Sequence, residues 1–296
     1  MSRRAQGYLL LSLAMMTVGT TVIASKVLAG SVPPFQATAL RFALALPVML
    51  WLLRRQGAAW PRLGAGDRVL LVLQAAAGSV GYTVLLVMGL AHLPAADAGV
   101  IIGTLPAVSA LFSVLVLGER PGLRQVASVA LATLGVMAVA WKASGPGSGP
   151  GSGFGMLCVF GAVLCESAFI LLNKRMRQPL GAVQQATAMV VLGLLVSAPA
   201  ALLEGPLAWP APASLGALAW YAWVPTAAGF LLWYAGSSRV SGGEAATFTA
   251  VAPLTVVALA VGLLGEPLGL SQGLGIGAVV LAILVLAVPS RDTANR

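Results

Sequence analysis

Two ionisable side chains, Arg41 and Glu166, sit inside stretches that are otherwise long and apolar enough to cross a lipid bilayer. A charge at membrane depth is costly, so such residues face a bundle interior or a watery cavity, where they serve ions, protons or charged ligands. Glu166 lies about 18 Å along its stretch at 1.5 Å per residue, close to the midplane, and Arg41 roughly 10 Å deep by the same count. Glu166 is the only carboxylate positioned to take up a proton or a cationic group at mid-depth. Arg41 has two readings. It holds the bundle together, by reaching the outer boundary or bonding backbone carbonyls, or it contacts a ligand.

Pro106 and Pro253 occupy the middles of two further stretches, 147 residues apart. A proline inside a helix withholds an amide and clashes with the carbonyl four residues back, here Ile102 and Thr249, which predicts a kink and a freed oxygen at each site. Paired kinks read as hinges flanking a central cavity, with packing shape as the plain alternative. Polar and aromatic groups gather at the same depth. They are Thr17, Thr20, Thr21, Ser79, Tyr82 and Thr104 in the first half, and Ser167, Thr226, Phe230, Trp233, Thr247 and Thr249 in the second. One threonine in a span often just bonds its own backbone. Together with Glu166, the set outlines a candidate ligand pocket, in which Tyr82 and Trp233 suit an amphiphilic or aromatic molecule. Trp209, Trp220, Tyr221 and Trp223 fall toward a boundary and are expected in an interfacial belt.

Enzymatic chemistry has no foothold. No HExxH or GxSxG motif and no metal-spaced His or Cys cluster occurs, so neither a catalytic residue, a metal nor a cofactor is expected. His92, the sole histidine, falls at a span end and is expected to be solvated. Cys158 and Cys165, two turns apart on one helix, stand about 10 Å from each other and cannot bridge.

The elements that must position these residues follow from composition. With 59% hydrophobic and 8% charged residues and a mean hydropathy of +0.95, lipid is the chain's solvent. Ten apolar stretches each approach the length a span requires: 7–28, 34–53, 69–90, 96–117, 123–141, 154–173, 180–203, 214–236, 244–264 and 269–288. The predicted fold class is therefore an all-α integral membrane protein of ten transmembrane helices. If the N-terminus is cytoplasmic and sides alternate, fourteen of the Lys and Arg residues fall inside and only Lys26 and Lys142 outside. That bias places both termini in the cytoplasm and accounts for the net charge of +9 without a nucleic-acid partner. Ser2-Arg3-Arg4 before an apolar run resembles an export signal, but the equivalent stretch 154–173 lies mid-chain, so cleavage is not expected.

The chain is also nearly one unit written twice. Asp97 pairs with Glu244, Pro106 with Pro253, Gly118-Glu119 with Gly265-Glu266 and Gln125 with Gln272, all 147 residues apart. Gly7 pairs with Gly155, Lys26 with Lys174 and Gly81-Tyr82 with Gly229-Phe230, 148 apart. Units of five spans must alternate in direction across the bilayer, which predicts two inverted repeats at 1–141 and 154–296, joined by a Gly/Pro/Ser linker at 142–153. Gly99-xxx-Gly103 and Gly269-xxx-Gly273-xxx-Gly277 predict close helix approach within a monomer, with a dimer seam along the last helix as the alternative.

The segment from Met88 to Gly99, then Leu105-Pro106, Leu117-Gly118-Glu119 and Gln125, resembles the EamA repeat of the drug/metabolite transporter superfamily. Its echo runs from Gly243-Glu244 through Ala252-Pro253 and Leu264-Gly265-Glu266 to Gln272, and Arg41 matches that family's span-two arginine. The resemblance covers both halves. It implies ten helices in two inverted five-helix repeats, a bacterial inner-membrane location and export of small metabolites, and the chain is most similar to the aromatic amino acid exporters of that family. Alternatives are efflux of drugs, nucleosides or other metabolites, or a non-transporting membrane scaffold or sensor. In an exporter Glu166 would be the proton-coupling residue, or the protein would be a facilitator.

Overall fold

The computed structural model describes residues 2–57, 63–117, 122–143, 151–177, 180–206, 209–240, 245 and 248–287. Glu119, Glu244, Thr247 and linker residues 144–150 lie outside the described residues. An apolar stretch in lipid must bond its own amides, and the stretches accordingly fold as helices, one of them as two. In chain order these are α1 (Arg3–Leu28), α2 (Pro34–Gln56), α3 (Ala65–Leu90), α4 (Ala95–Ile102), α5 (Leu105–Leu117) and α6 (Leu123–Ala143). Then come α7 (Ser152–Lys174), α8 (Ala182–Leu203), α9 (Pro212–Ser237), α10 (Val251–Leu264) and α11 (Leu270–Ala287). Among the described residues six of them, α1, α2, α3, α7, α8 and α9, are long and apolar enough to cross a membrane. Large apolar side chains point outward along the bundle. Leu195, Leu202, Leu203, Leu263 and Leu270 are all more than 60% exposed, which only a lipid surround makes tolerable.

Helices α2 and α8 pack along each other, as do α6 and α11. Helix α1 lies against α9 and α10, α7 against α3, α4 and α5, and α4 against α10. Small residues permit the close crossings: a Cβ on Gly19 would meet Thr255 at 2.6 Å, and one on Gly193 would meet the Phe42 ring at 2.6 Å. The sequence expectation for glycines splits. Gly99 and Gly103 abut Val256 and Val279, whereas a Cβ on Gly273 or Gly277 would meet no atom of the described residues within 4 Å. On α11 it is Gly275, one helical face away, that packs, meeting the Gly135 carbonyl.

Helix ends are tied by charges placed where the backbone is unsatisfied. At one end of the bundle both Glu266 oxygens accept from the first amides of α4, Ala95 at 2.9 Å and Ala96 at 2.8 Å. Gln272 Nε2 donates to Asp97 Oδ1 at 2.7 Å beside them. At the start of α2, Glu204 accepts from the amides of Phe35 and Gln36 at 3.1 and 2.8 Å. Lys26 Nζ donates to the carbonyls of Leu90, the last residue of α3, and of Leu93 beyond it, at 2.9 and 2.7 Å. At the other end Asp67 accepts from the Arg177 amide, and Tyr8 stacks on Phe248.

The prolines correct their expectation. The 96–117 stretch is not a kinked helix but two helices separated by a turn at Gly103 and Thr104, with Pro106 the second residue of α5. Pro253 is likewise the third residue of α10, after a turn at Thr249 and Ala250. A first-turn proline forfeits no hydrogen bond, so the chain stops and restarts there. The Thr249 carbonyl is not left free, since the Ala252 amide donates to it at 3.2 Å.

Candidate functional site

The distortions that shape the site lie in α3 and α9. Ala75–Gly81 and Ala222–Ala228 are π-helical, seven residues each, and stand 147 residues apart. In α9 the cause is Pro225, which lacks the amide that would bond the Tyr221 carbonyl four residues back. Thr226 Oγ1 donates to that carbonyl instead, at 2.7 Å. In α3 the Ser79 carbonyl accepts from Thr83 Oγ1 at 2.9 Å.

Arg41, from α2, ties the two distortions together. Its Nη2 donates to the Ser79 carbonyl at 2.6 Å and its Nη1 to Thr226 Oγ1 at 3.2 Å. The guanidinium carbon lies 4.3 Å from the Phe42 ring centre and 4.5 Å from that of Tyr221. Irregular backbone and aromatic faces thus replace the water that a buried cation has lost.

Beside Arg41 is a cavity of about 50 Å³ bounded by α1, α2, α3, α7 and α9. Of the sequence-predicted residues, Thr21, Arg41, Tyr82, Glu166, Thr226, Phe230 and Trp233 line it. Glu166, from α7, shares the cavity with Arg41 and interacts with it electrostatically, but the two form no direct ion pair. Tyr82 Oη lies 3.2 Å from Thr21 Oγ1. Phe169 and Phe230 stack at 6.3 Å, with Tyr234 6.2 Å from Phe230. Trp233 is buried and its Nε1 has no hydrogen-bond partner among the described residues. One cation and one carboxyl group therefore line a cavity walled in part by aromatic rings.

The remaining candidates go elsewhere. Thr17 bonds the Ala14 carbonyl, and its hydroxyl would lie 2.8 Å from a Cβ on Gly229. Thr20 bonds the Thr17 carbonyl and receives the exposed Trp220 indole at 3.1 Å. Ser79 serves through its carbonyl, its hydroxyl being buried without a partner among the described residues. Thr104 lines a separate apolar cleft of about 590 Å³ between α5, α6 and α7. Ser167 pairs with Ser109 at 3.2 Å, and Thr249 is buried in the turn before α10.

Tyr221 is a correction. Expected in an interfacial belt, it is fully buried under Arg41, whereas Trp209, Trp220 and Trp223 are exposed. Aromatic type alone could not separate these four. Phe169 also escaped the sequence reading, because nothing distinguishes it from a lipid-facing ring. His92 is exposed and meets Phe154 edge-on at 5.6 Å. Both cysteines are free, and no group of three metal-ligating side chains occurs among the described residues.

Comparison with known proteins fits this frame. The chain is 28% identical over 289 residues to the uncharacterized transporter YetK of Bacillus subtilis (strain 168), covering 96% of this chain and 88% of that protein. It is 25% identical over 290 residues to the uncharacterized transporter YyaM of the same organism, covering 93% and 92%. A crystal structure of a chain 23% identical superposes with a TM-score of 0.68 over 97% of this chain and 99% of that one, which shows a shared fold. The model of the EamA-like transporter family matches residues 5–141 and again 153–288. This chain is a multi-pass membrane transporter and belongs to the EamA-like transporter family.

Proposed function

We propose that the protein exports amino acids, aromatic and hydrophobic ones included, together with related small metabolites, across a bacterial inner membrane by alternating access. The observation that carries this reading is the central cavity, which Arg41 and Glu166 line together with Tyr82, Phe230 and Trp233. Its 50 Å³ admits a few waters and is far below the roughly 300–1,000 Å³ of ligand pockets, so loading requires the helices to part.

The architecture assigned to this cycle is two inverted five-helix repeats, 1–141 and 154–296, with 142–153 as linker and both termini cytoplasmic. Several features support it. Under the 147-residue register the contact of α1 with α9 exchanges with that of α7 with α3, while the α2–α8 and α6–α11 pairs map onto themselves. The π-helical segments coincide in the same register, and the turns before Pro106 and Pro253 fall within one residue of it. Breaks at equivalent depth on both sides of a cavity are where a repeat could rock against its partner. The working unit is taken as a monomer.

Uptake of radiolabelled amino acids into proteoliposomes is the test. Saturable, protein-dependent movement of phenylalanine, tryptophan or leucine is the expected result. Movement of nucleosides or drugs in their absence would assign the protein to another efflux class, and no movement of any solute would favour a scaffold.

A further inference from the structure

The geometry points to a site that recognises a free α-amino acid as a zwitterion, its carboxylate on Arg41, its ammonium on Glu166 and its side chain among the rings of Phe230 and Trp233. This inference rests on the export of amino acids proposed above and adds which charges the site demands. Arg41 and Glu166 line one cavity yet make no direct ion pair. Each is left with unused capacity. A guanidinium has five N–H donors, and the described contacts take two, to Ser79 and Thr226. Nε–H is buried without a partner. Glu166 accepts no hydrogen bond among the described residues and lines the cavity. The Trp233 indole N–H beside them is likewise unpartnered.

Two opposite charges on one wall-lined space favour a ligand carrying both. An α-amino acid holds its ammonium and carboxylate on a single carbon and can bridge two protein charges that do not reach each other. A ligand with one charge satisfies one side chain and leaves the other desolvated and unpaired, which penalises it in low dielectric. The rings of Phe42 and Tyr221 cover Arg41 within 4.5 Å, and the side chain lines the same cavity as Glu166. Phe169, Phe230 and Tyr234 pack at 6.2 to 6.3 Å, supplying aromatic faces for an apolar side chain.

The experiment is counterflow of radiolabelled phenylalanine in proteoliposomes holding the full-length protein, competed with phenylalanine, 3-phenylpropionate, which lacks the ammonium, and phenethylamine, which lacks the carboxylate. Both analogues should compete about 100-fold less well than phenylalanine, the scale set by stranding one buried charge. In Glu166→Gln the advantage of phenylalanine over 3-phenylpropionate should shrink to within about tenfold, because the group that reads the ammonium is gone. Competition by either analogue at phenylalanine's own concentration in the wild type overturns the zwitterion site while leaving amino acid export standing. If no amino acid moves at all, the export reading itself falls. The wild-type competition decides the inference even where Glu166→Gln fails to reach the membrane.

Discussion

Replacing Arg41 by lysine keeps the charge and removes the geometry. Arginine spans from α2 to the distorted segments of both α3 and α9, through the Ser79 carbonyl at 2.6 Å and Thr226 Oγ1 at 3.2 Å. A lysine ammonium is a point charge and can hold one of these but not both. One hydrogen bond to a charged group contributes about 1.5–3 kcal/mol, so the closed arrangement should lose about 2 kcal/mol, equivalent to roughly a 30-fold shift toward open conformations. Val18 lines the cavity, whose 50 Å³ excludes thiol reagents while it stays closed. With Cys158 and Cys165 replaced by alanine, the alkylation rate of Val18→Cys therefore reports opening. It should rise about 30-fold in Arg41→Lys, with similar amounts of folded protein recovered from the membrane. An alkylation rate equal to that with Arg41 intact would refute the view that this residue clamps the two π-helical segments.

Three further outcomes are expected. Glu266→Gln keeps one acceptor for the α4 amides but loses the charge facing the helix N-terminus, so thermal unfolding in detergent should show a loss of about 1–2 kcal/mol; unchanged stability would leave the cap without energetic weight. Cysteines at Gly149 and Gly205 should label from outside intact cells while one at Gln56 should not, and the reverse pattern would overturn the orientation. Pro106→Ala or Pro253→Ala should slow transport more than it lowers folded protein in the membrane, because an amide at these positions lets α5 or α10 extend back across its turn; normal turnover in both variants would reduce them to packing residues.

What the sequence made legible was whatever depends on periodicity and on the cost of charge in lipid. Apolar helices follow from counting apolar residues, the family model matches the two halves separately, and the two charged exceptions, Arg41 and Glu166, line one cavity. The motif residues Asp97, Glu266 and Gln272 could be placed at helix ends, and there they cap α4 and latch α11 to it. The bonding partners of Arg41 were not legible, since they depend on a carbonyl and a hydroxyl in two other helices. The π-helical segments were likewise hidden: Pro225 marks one, but Ala75–Gly81 contains no proline. Threonines proved the least informative group, because a hydroxyl that satisfies itself on its own helix, as in Thr17, Thr20 and Thr104, looks in sequence like one facing a cavity.

Phenylalanine counterflow through Val18→Cys, in the background lacking both native cysteines, measured before and after complete alkylation tests the central claim most directly. If substrate passes through the cavity between Arg41 and Glu166, an adduct on its wall should abolish counterflow while the unmodified variant retains it. Full counterflow through quantitatively alkylated protein would contradict that route.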